Sequence, residues 1–86
     1  MDEKVITIFG TWWCGDCSLA RRFFDKNLIP YKWVDIDCDE SGEEFVFSTN
    51  NGMRSVPTIV FTDGSILVEP TEAQLKSKLG TSLATN

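Results

Sequence analysis

Two cysteines three positions apart, Cys14 and Cys17 in the run Cys14-Gly15-Asp16-Cys17, are the side chains best suited to chemistry in this sequence. At the start of a helix that spacing puts both sulfurs on one side, one turn apart, within reach of ordinary disulfide geometry. The chemistry open to such a pair is thiol–disulfide exchange, in which one thiolate attacks a disulfide and the other displaces the mixed disulfide that results. A helix start suits Cys14 to the first role. The free N–H groups and the helix dipole there favour an anion and draw a cysteine pKa from about 8.5 toward ~3.5–7.5. Cys14 is thus expected at the exposed end as nucleophile, with Cys17 pointing inward to resolve the intermediate. Asp16, between them, opposes a second negative charge and acts to raise the Cys14 pKa, whereas Arg21 and Arg22 are cations placed to offset it.

The rest of the composition narrows the alternatives. The chain has 86 residues, 42% of them hydrophobic, which is room for one domain with a real core. Eight basic and 13 acidic residues give a net charge of −5, which argues against a nucleic-acid surface. Histidine is absent, so Cys–His and Ser–His catalysis and histidine-ligated metals fall away. A zinc site would have to add Cys38 and a carboxylate to the pair, so no bound metal is expected. No apolar run approaches the ~20 residues of a membrane helix. Met1-Asp2-Glu3-Lys4 leads straight into a short apolar stretch, unlike a secretory leader, and three cysteines are an odd number for a disulfide framework. The expectation is a cytoplasmic, non-membrane protein, monomeric for want of an obvious apolar patch.

The elements that must position the pair can be read in order. Val5 to Phe9 is a β-branched and aromatic strand closed by Gly10. A Thr11-Trp12-Trp13 loop leads to the cysteines. The following helix shows an apolar face of Leu19, Ala20, Phe23 and Phe24, continued by Leu28, with Asp16 in its first turn, Lys26 in its last, and Asn27 and Pro30 at its end. Tyr31 to Ile36 alternates as a second strand. Ser41 and Glu44 form a capping box for a short helix over Phe45 and Val46, stopped by Asn50-Asn51-Gly52. Thr58 to Phe61 is a third strand, Asp63-Gly64 a hairpin turn, and Ile66 to Val68 a fourth strand. Thr71 and Gln74 cap a last helix that carries Leu75 and Leu79 and ends at Gly80, leaving a frayed tail over 81–86. The order β-α-β-α-β-β-α implies a right-handed parallel crossover, then a hairpin, in a four-stranded mixed sheet flanked by three helices.

Several further residues have two readings. Val56-Pro57 opens the third strand. The bond is either an ordinary trans one at a strand start or a cis one that lets the Val56 backbone pair with a substrate in the manner of an added strand. Trp12 and Trp13 flank the nucleophile, and one is expected in the core and one exposed. Arg54 pairs with a substrate carboxylate, or else with Asp16 or another surface acid, and its place near the redox loop favours the former. Cys38 is expected as a semi-buried residue at a strand end with no redox role rather than a regulatory thiol. Phe45 and Phe47 are expected in the core.

With these residues in place the chain resembles a glutaredoxin of the thioredoxin superfamily over essentially its whole length. The likeness rests on Trp13-Cys14-Gly15-Asp16-Cys17 after the first strand, Arg54-Ser55-Val56-Pro57-Thr58 before the third, and Asp63-Gly64 in the hairpin. Asn51 to Thr58 and Asp63-Gly64-Ser65…Glu69-Pro70 are most similar to mycoredoxin-like members. The resemblance implies a thioredoxin-like fold, a cis bond at Pro57, and reduction of protein disulfides or protein–small-thiol mixed disulfides by attack of Cys14. It implies a small-thiol co-substrate, mycothiol or glutathione, disulfide-bearing client proteins, and a binding site of Trp13, Arg54, Val56 and Pro57. Glutathione-using members usually carry Gly-Gly or a Gly-Cys/Ser-Asp step after the fourth strand. Here the segment is Val68-Glu69-Pro70-Thr71-Glu72, whose carboxylates oppose that of glutathione, and the sugar-bearing mycothiol suits a site without those contacts. Recycling by a flavin reductase, an iron–sulfur module bridging two subunits through the first cysteine, and a redox-inert binding domain are the alternatives.

Overall fold

Alternation along the first strand decides where the core forms. In the computed structural model, which describes residues 5–83, β1 is Ile6–Gly10, with Ile6, Ile8 and Gly10 buried and Thr7 and Phe9 on the opposite face. It pairs parallel with β2, Tyr31–Asp35, in the register Ile6 to Tyr31 and Gly10 to Asp35. On its other side it pairs antiparallel with β3, Thr58–Val60, Ile8 opposite Ile59. The hairpin adds β4, Ile66–Val68, so the strand order is β2-β1-β3-β4. The mixed four-stranded sheet and the element order are as the sequence implies.

Helix α1, Gly15–Lys26, and helix α3, Glu72–Leu83, cover one face. Ile6, Ile8 and Ile59 meet Ala20, Phe23 and Phe24 of α1 and Leu75 of α3 in a continuous apolar cluster. Phe24 is fully enclosed and packs edge-on against Phe23 and Tyr31. On the opposite face lies helix α2, Glu40–Thr49, where Phe45 stacks on Phe9 at 4.7 Å and Val46 is fully buried. Phe45 and Phe47 themselves are half-buried rather than enclosed.

The turns show which local signals decided the boundaries. Asp63 accepts from the Ser65 backbone N–H and hydroxyl at 2.9 and 2.6 Å, and Gly64 takes φ +89°, as the hairpin signal implied. Thr71 and Gln74 form the reciprocal box at 2.9 and 3.1 Å. At α2 the expected box is displaced. Asp39 caps the helix, accepting from Gly42 N–H at 2.9 Å, while Ser41 donates its hydroxyl to Asp39. Helix α3 continues through Gly80 to Leu83, and the rest of the expected tail, 84–86, like Met1–Lys4, lies outside the described residues.

Leu19 and Leu28 depart from the expected apolar face of α1. Leu19 is 60% and Leu28 87% exposed, and Cys17 with Ala20, Phe23 and Phe24 forms the buried stripe instead. Leu28 sits past the helix end with φ +58°. Its N–H donates to Asp25 and that of Ile29 to Phe24, the double bond of a Schellman ending. A left-handed conformation costs a side-chain-bearing residue roughly 1–2 kcal/mol, and glycine escapes it at the expense of unfolded-chain entropy. Leu28→Gly is therefore expected to stabilise the protein by a net ~0.5–1 kcal/mol, a rise of a few degrees in thermal midpoint by circular dichroism. A fall would show that the Leu28 side chain contributes packing.

Candidate active site

The redox turn forms where β1 ends. Cys14 is the N-cap of α1, with extended backbone (φ −87°, ψ 123°), and its sulfur occupies the position usually taken by a capping oxygen. The Cys17 backbone N–H donates to Cys14 Sγ at 3.3 Å. On its other side Cys14 Sγ lies 3.9 Å from the Val56 carbonyl oxygen, at the head of the Val56-Pro57 bond, which is cis. Cys14 is half-buried, Cys17 fully buried, and both are free thiols. The N-cap place that suits a sulfur anion thus falls to the accessible cysteine of the two.

Burial pushes the Cys17 thiol up to about 12. The Thr11 backbone N–H acts against this, the adjacent Cys14 adds to it by hydrogen bond and charge, and the Arg21 cation again acts against it. The Arg21 guanidinium lies over the rings of Trp12 and Trp33, 4.5 and 4.7 Å from their centroids. Trp33, read in the sequence only as part of a strand, is thus a component of the site's floor.

Neither loop tryptophan is in the core, which corrects the expected division between them. Trp12 is 59% and Trp13 71% exposed. Each finds a specific contact in place of burial. Trp12 leans on Trp33 at 4.8 Å, and the Trp13 indole N–H donates to Asp37 Oδ2 at 2.8 Å. Arg54 binds the same carboxylate through Nη2 at 2.7 Å and Glu43 through Nε at 2.7 Å. The internal partners of Arg54 are thus two acids other than Asp16, Asp37 and Glu43. Arg54 and, more weakly, the indole hold the Asp37 carboxyl below its usual range. Asp37 and Glu43 are the site-flanking residues that sequence reading missed. Asp37 stood out only as part of an acidic turn.

The loop before β3 is held from behind. Asn50 donates to Thr58 Oγ1 at 3.1 Å and to the Val46 carbonyl at 2.9 Å, and the Thr58 hydroxyl donates to Ser55 O at 2.8 Å. From the hairpin side the Glu69 N–H donates to Pro57 O at 2.8 Å, with Glu69 itself at φ +49°. A groove of about 450 Å³ runs between α1 and the β4–α3 turn, lined by the carboxylates of Asp16, Glu69 and Glu72, the cations Arg22 and Lys26, and the apolar Leu19, Phe23 and Leu75. Leu19 is therefore a groove residue, which accounts for its exposure.

Cys38 is exposed rather than semi-buried, and its thiol is raised by the Asp35 carboxylate beside it. Among the described residues no group of three His, Cys, Asp or Glu side chains converges as metal ligands, and no helix is long and apolar enough to cross a membrane. The three thiols are expected to differ sharply toward iodoacetamide. In the reduced protein Cys17 should be the last modified, accelerating only as the pH approaches 12, as peptide mass spectrometry would read. Modification of Cys17 at neutral pH as fast as Cys38 would contradict its enclosure.

Comparison with known proteins agrees with this geometry. The glutaredoxin family model matches residues 6–66. A protein of Mycobacterium tuberculosis that carries the glutaredoxin name is 43% identical over 79 residues, 92% of this chain and 94% of its own. Mycoredoxin 1 of Corynebacterium glutamicum is 35% identical over 74 residues, 86% of this chain and 91% of its own. Among solved structures, a mutant of the thioredoxin-like protein BC3987 superposes with a TM-score of 0.78 at 22% identity, covering 91% of this chain and 97% of its own. The glutaredoxin of Archaeoglobus fulgidus gives 0.71 at 23% identity, covering 86% and 84%. A cysteine pair split between an accessible helix cap and a buried position, on this sheet and under these matches, places the chain in the glutaredoxin family of thiol–disulfide oxidoreductases.

Proposed function

We propose that this protein reduces protein–small-thiol mixed disulfides and protein disulfides, with Cys14 as nucleophile and Cys17 as resolving thiol, and that a small thiol recycles it. The observation that carries this reading is the asymmetry of the pair: Cys14 Sγ caps α1 and is accessible, while Cys17 is enclosed behind it. The Cys14 thiolate attacks one sulfur of the substrate disulfide. A Cys14–S bond forms, the substrate S–S bond breaks, and the displaced sulfur takes up a proton: a client joined to a small thiol leaves, whereas one with an internal disulfide stays on Cys14 through its other sulfur. Either a second small thiol then attacks the first one on Cys14, so that the two leave as their disulfide and Cys14 is freed, or Cys17 attacks Cys14 Sγ, closes a Cys14–Cys17 disulfide and releases the group held on Cys14 as a thiol. Each full turn moves two electrons, and two small thiols restore the dithiol by leaving as their own disulfide.

Trp13 and the Val56-Pro57 segment border Cys14 and form the surface on which the thiol rests, with the Val56 backbone available to an extended partner. Arg54 stands at the edge of the same surface. Asp16 and Arg21 set the local charge around the pair, Asp16 from the groove rim and Arg21 from its place over the tryptophans. Mycothiol is the co-substrate this site favours. The segment Glu69-Pro70-Thr71-Glu72 brings two carboxylates to the groove, which act against a carboxylate-bearing thiol, and the similarity to mycoredoxin 1 supports the same reading. The working form is a cytoplasmic monomer.

The test is recycling of the oxidised protein by mycothiol, by glutathione, and by thioredoxin reductase with NADPH, alongside single-cysteine variants. Mycothiol is expected to be fastest, and recycling by the reductase alone would replace this reading with that of a thioredoxin-like donor. Cys14→Ser should abolish all reduction. Cys17→Ser should keep turnover of a protein–mycothiol mixed disulfide and lose that of a protein disulfide. Loss of both would remove the route in which the external thiol resolves.

A further inference from the structure

We infer that the Asp37–Arg54–Glu43 ion-pair network is a specificity determinant: the arginine beside the redox loops is occupied by the protein's own carboxylates, and this closes the site to thiols that carry a carboxylate. This rests on the reading that a small thiol recycles the protein, and it assigns the choice of thiol to residues outside the cysteine pair.

The geometry supports it on three counts. Arg54 lies two residues before Val56, whose carbonyl faces Cys14 Sγ, so its guanidinium is at the margin of the thiol surface. Its fork is already engaged on two edges, Nε to Glu43 Oε2 and Nη2 to Asp37 Oδ1, both at 2.7 Å, a length typical of charge-assisted bonds. One cation against two carboxylates leaves a net negative charge there, so a third carboxylate would meet repulsion as well as competition. The network is also fixed from outside: Asp37 takes the Trp13 indole N–H through its other oxygen, so it is aimed by two donors at once. The side chains are about one-third exposed, accessible enough for a ligand to compete yet ordered by three mutually reinforcing contacts.

An arginine freed of one internal partner should accept a substrate carboxylate in its place. The experiment measures second-order rates of recycling by glutathione, which carries carboxylates, and by 2-mercaptoethanol, which is uncharged, for the parent, Glu43→Gln, and Glu43→Gln combined with Arg54→Gln. The glutathione-to-mercaptoethanol ratio is expected to rise about tenfold in Glu43→Gln, the lower end of the value of one net hydrogen bond to a charged group, and to return to the parent value when Arg54 is also removed. A ratio unchanged in Glu43→Gln overturns the inference. So does a ratio that stays raised without Arg54, since the effect would then be loss of general negative charge. If the double variant does not fold, S-methylglutathione titrated into Glu43→Gln decides the matter. The Arg54 Nε–H resonance should shift in that variant and not in the parent, and no shift overturns the inference. Recycling of the parent by mercaptoethanol with no change of ratio in any variant removes this inference alone. Failure of every thiol on every variant removes the small-thiol reading and this one with it.

Discussion

The site depends on a side chain that is not there. A β-carbon on Gly10 would stand 2.6 Å from Cys17 Sγ and 2.9 Å from the Trp33 ring, distances at which something must move. Gly10 is the last residue of β1, so the absent methyl lets the helix bearing Cys17 and the strand bearing Trp33 close over the end of the central strand. Its carbonyl meanwhile accepts the Ile36 N–H at 2.9 Å and holds the β2 end in place. Nothing about the Gly10 backbone conformation demands glycine. Close approach does. The enclosure of Cys17, the bed of indoles on which Arg21 rests, and the start of the loop carrying Trp12 and Trp13 all follow from that approach.

Enclosure alone would make Cys17 a poor nucleophile, since burial is the largest contribution to its raised pKa. The smaller contributions are arranged by redox state. Cys14 raises Cys17 through a hydrogen bond and through charge, while the Thr11 N–H and Arg21 lower it. Once Cys14 is tied up in a mixed disulfide it carries neither charge nor S–H, and both of its contributions vanish. The Thr11 and Arg21 contributions remain. In the proposed route this makes Cys17 easier to ionise at the step in which it attacks the mixed disulfide on Cys14.

Much of this was legible in the residue order, and the failures have physical causes. The strands were readable because β-branched runs ended at Gly10 and Asp63-Gly64, and the Thr71–Gln74 box because both of its members are local. At α2 two capping patterns overlap by two residues, and Asp39 prevailed over Ser41 because its carboxylate reaches Gly42 N–H while also taking the Ser41 hydroxyl. Leu28 matched the helical period, but period cannot reveal that the chain has already turned left-handed after Asn27. The tryptophans sit in a loop, where no periodicity reports burial. The Asp37 network was out of reach for another reason. Its contacts join residues 24, 17 and 11 positions apart, and only the β1–β2 pairing and the return to β3 bring them together.

On the proposed function and the specificity inferred for Arg54, one small region has to favour one negative charge and refuse others. The helix start acts on whatever sits at its cap, and its influence fades within the first turn. At the N-cap stands Cys14 Sγ, the group on which that influence falls. Around it Asp16, Glu69 and Glu72 stand along the groove against the cations Arg22 and Lys26, and Asp37 and Glu43 outnumber the single cation Arg54. Salt at physiological strength screens exposed charges only over about 8 Å, so these carboxylates still act on a ligand that comes to rest against them. On the proposed reading, a thiol with a neutral body escapes the repulsion that a carboxylate-bearing one meets at the Asp37–Arg54–Glu43 cluster and at Glu69 and Glu72. On that reading charge selection falls to the loops around the cysteine pair, while the pair and its helix supply the reaction.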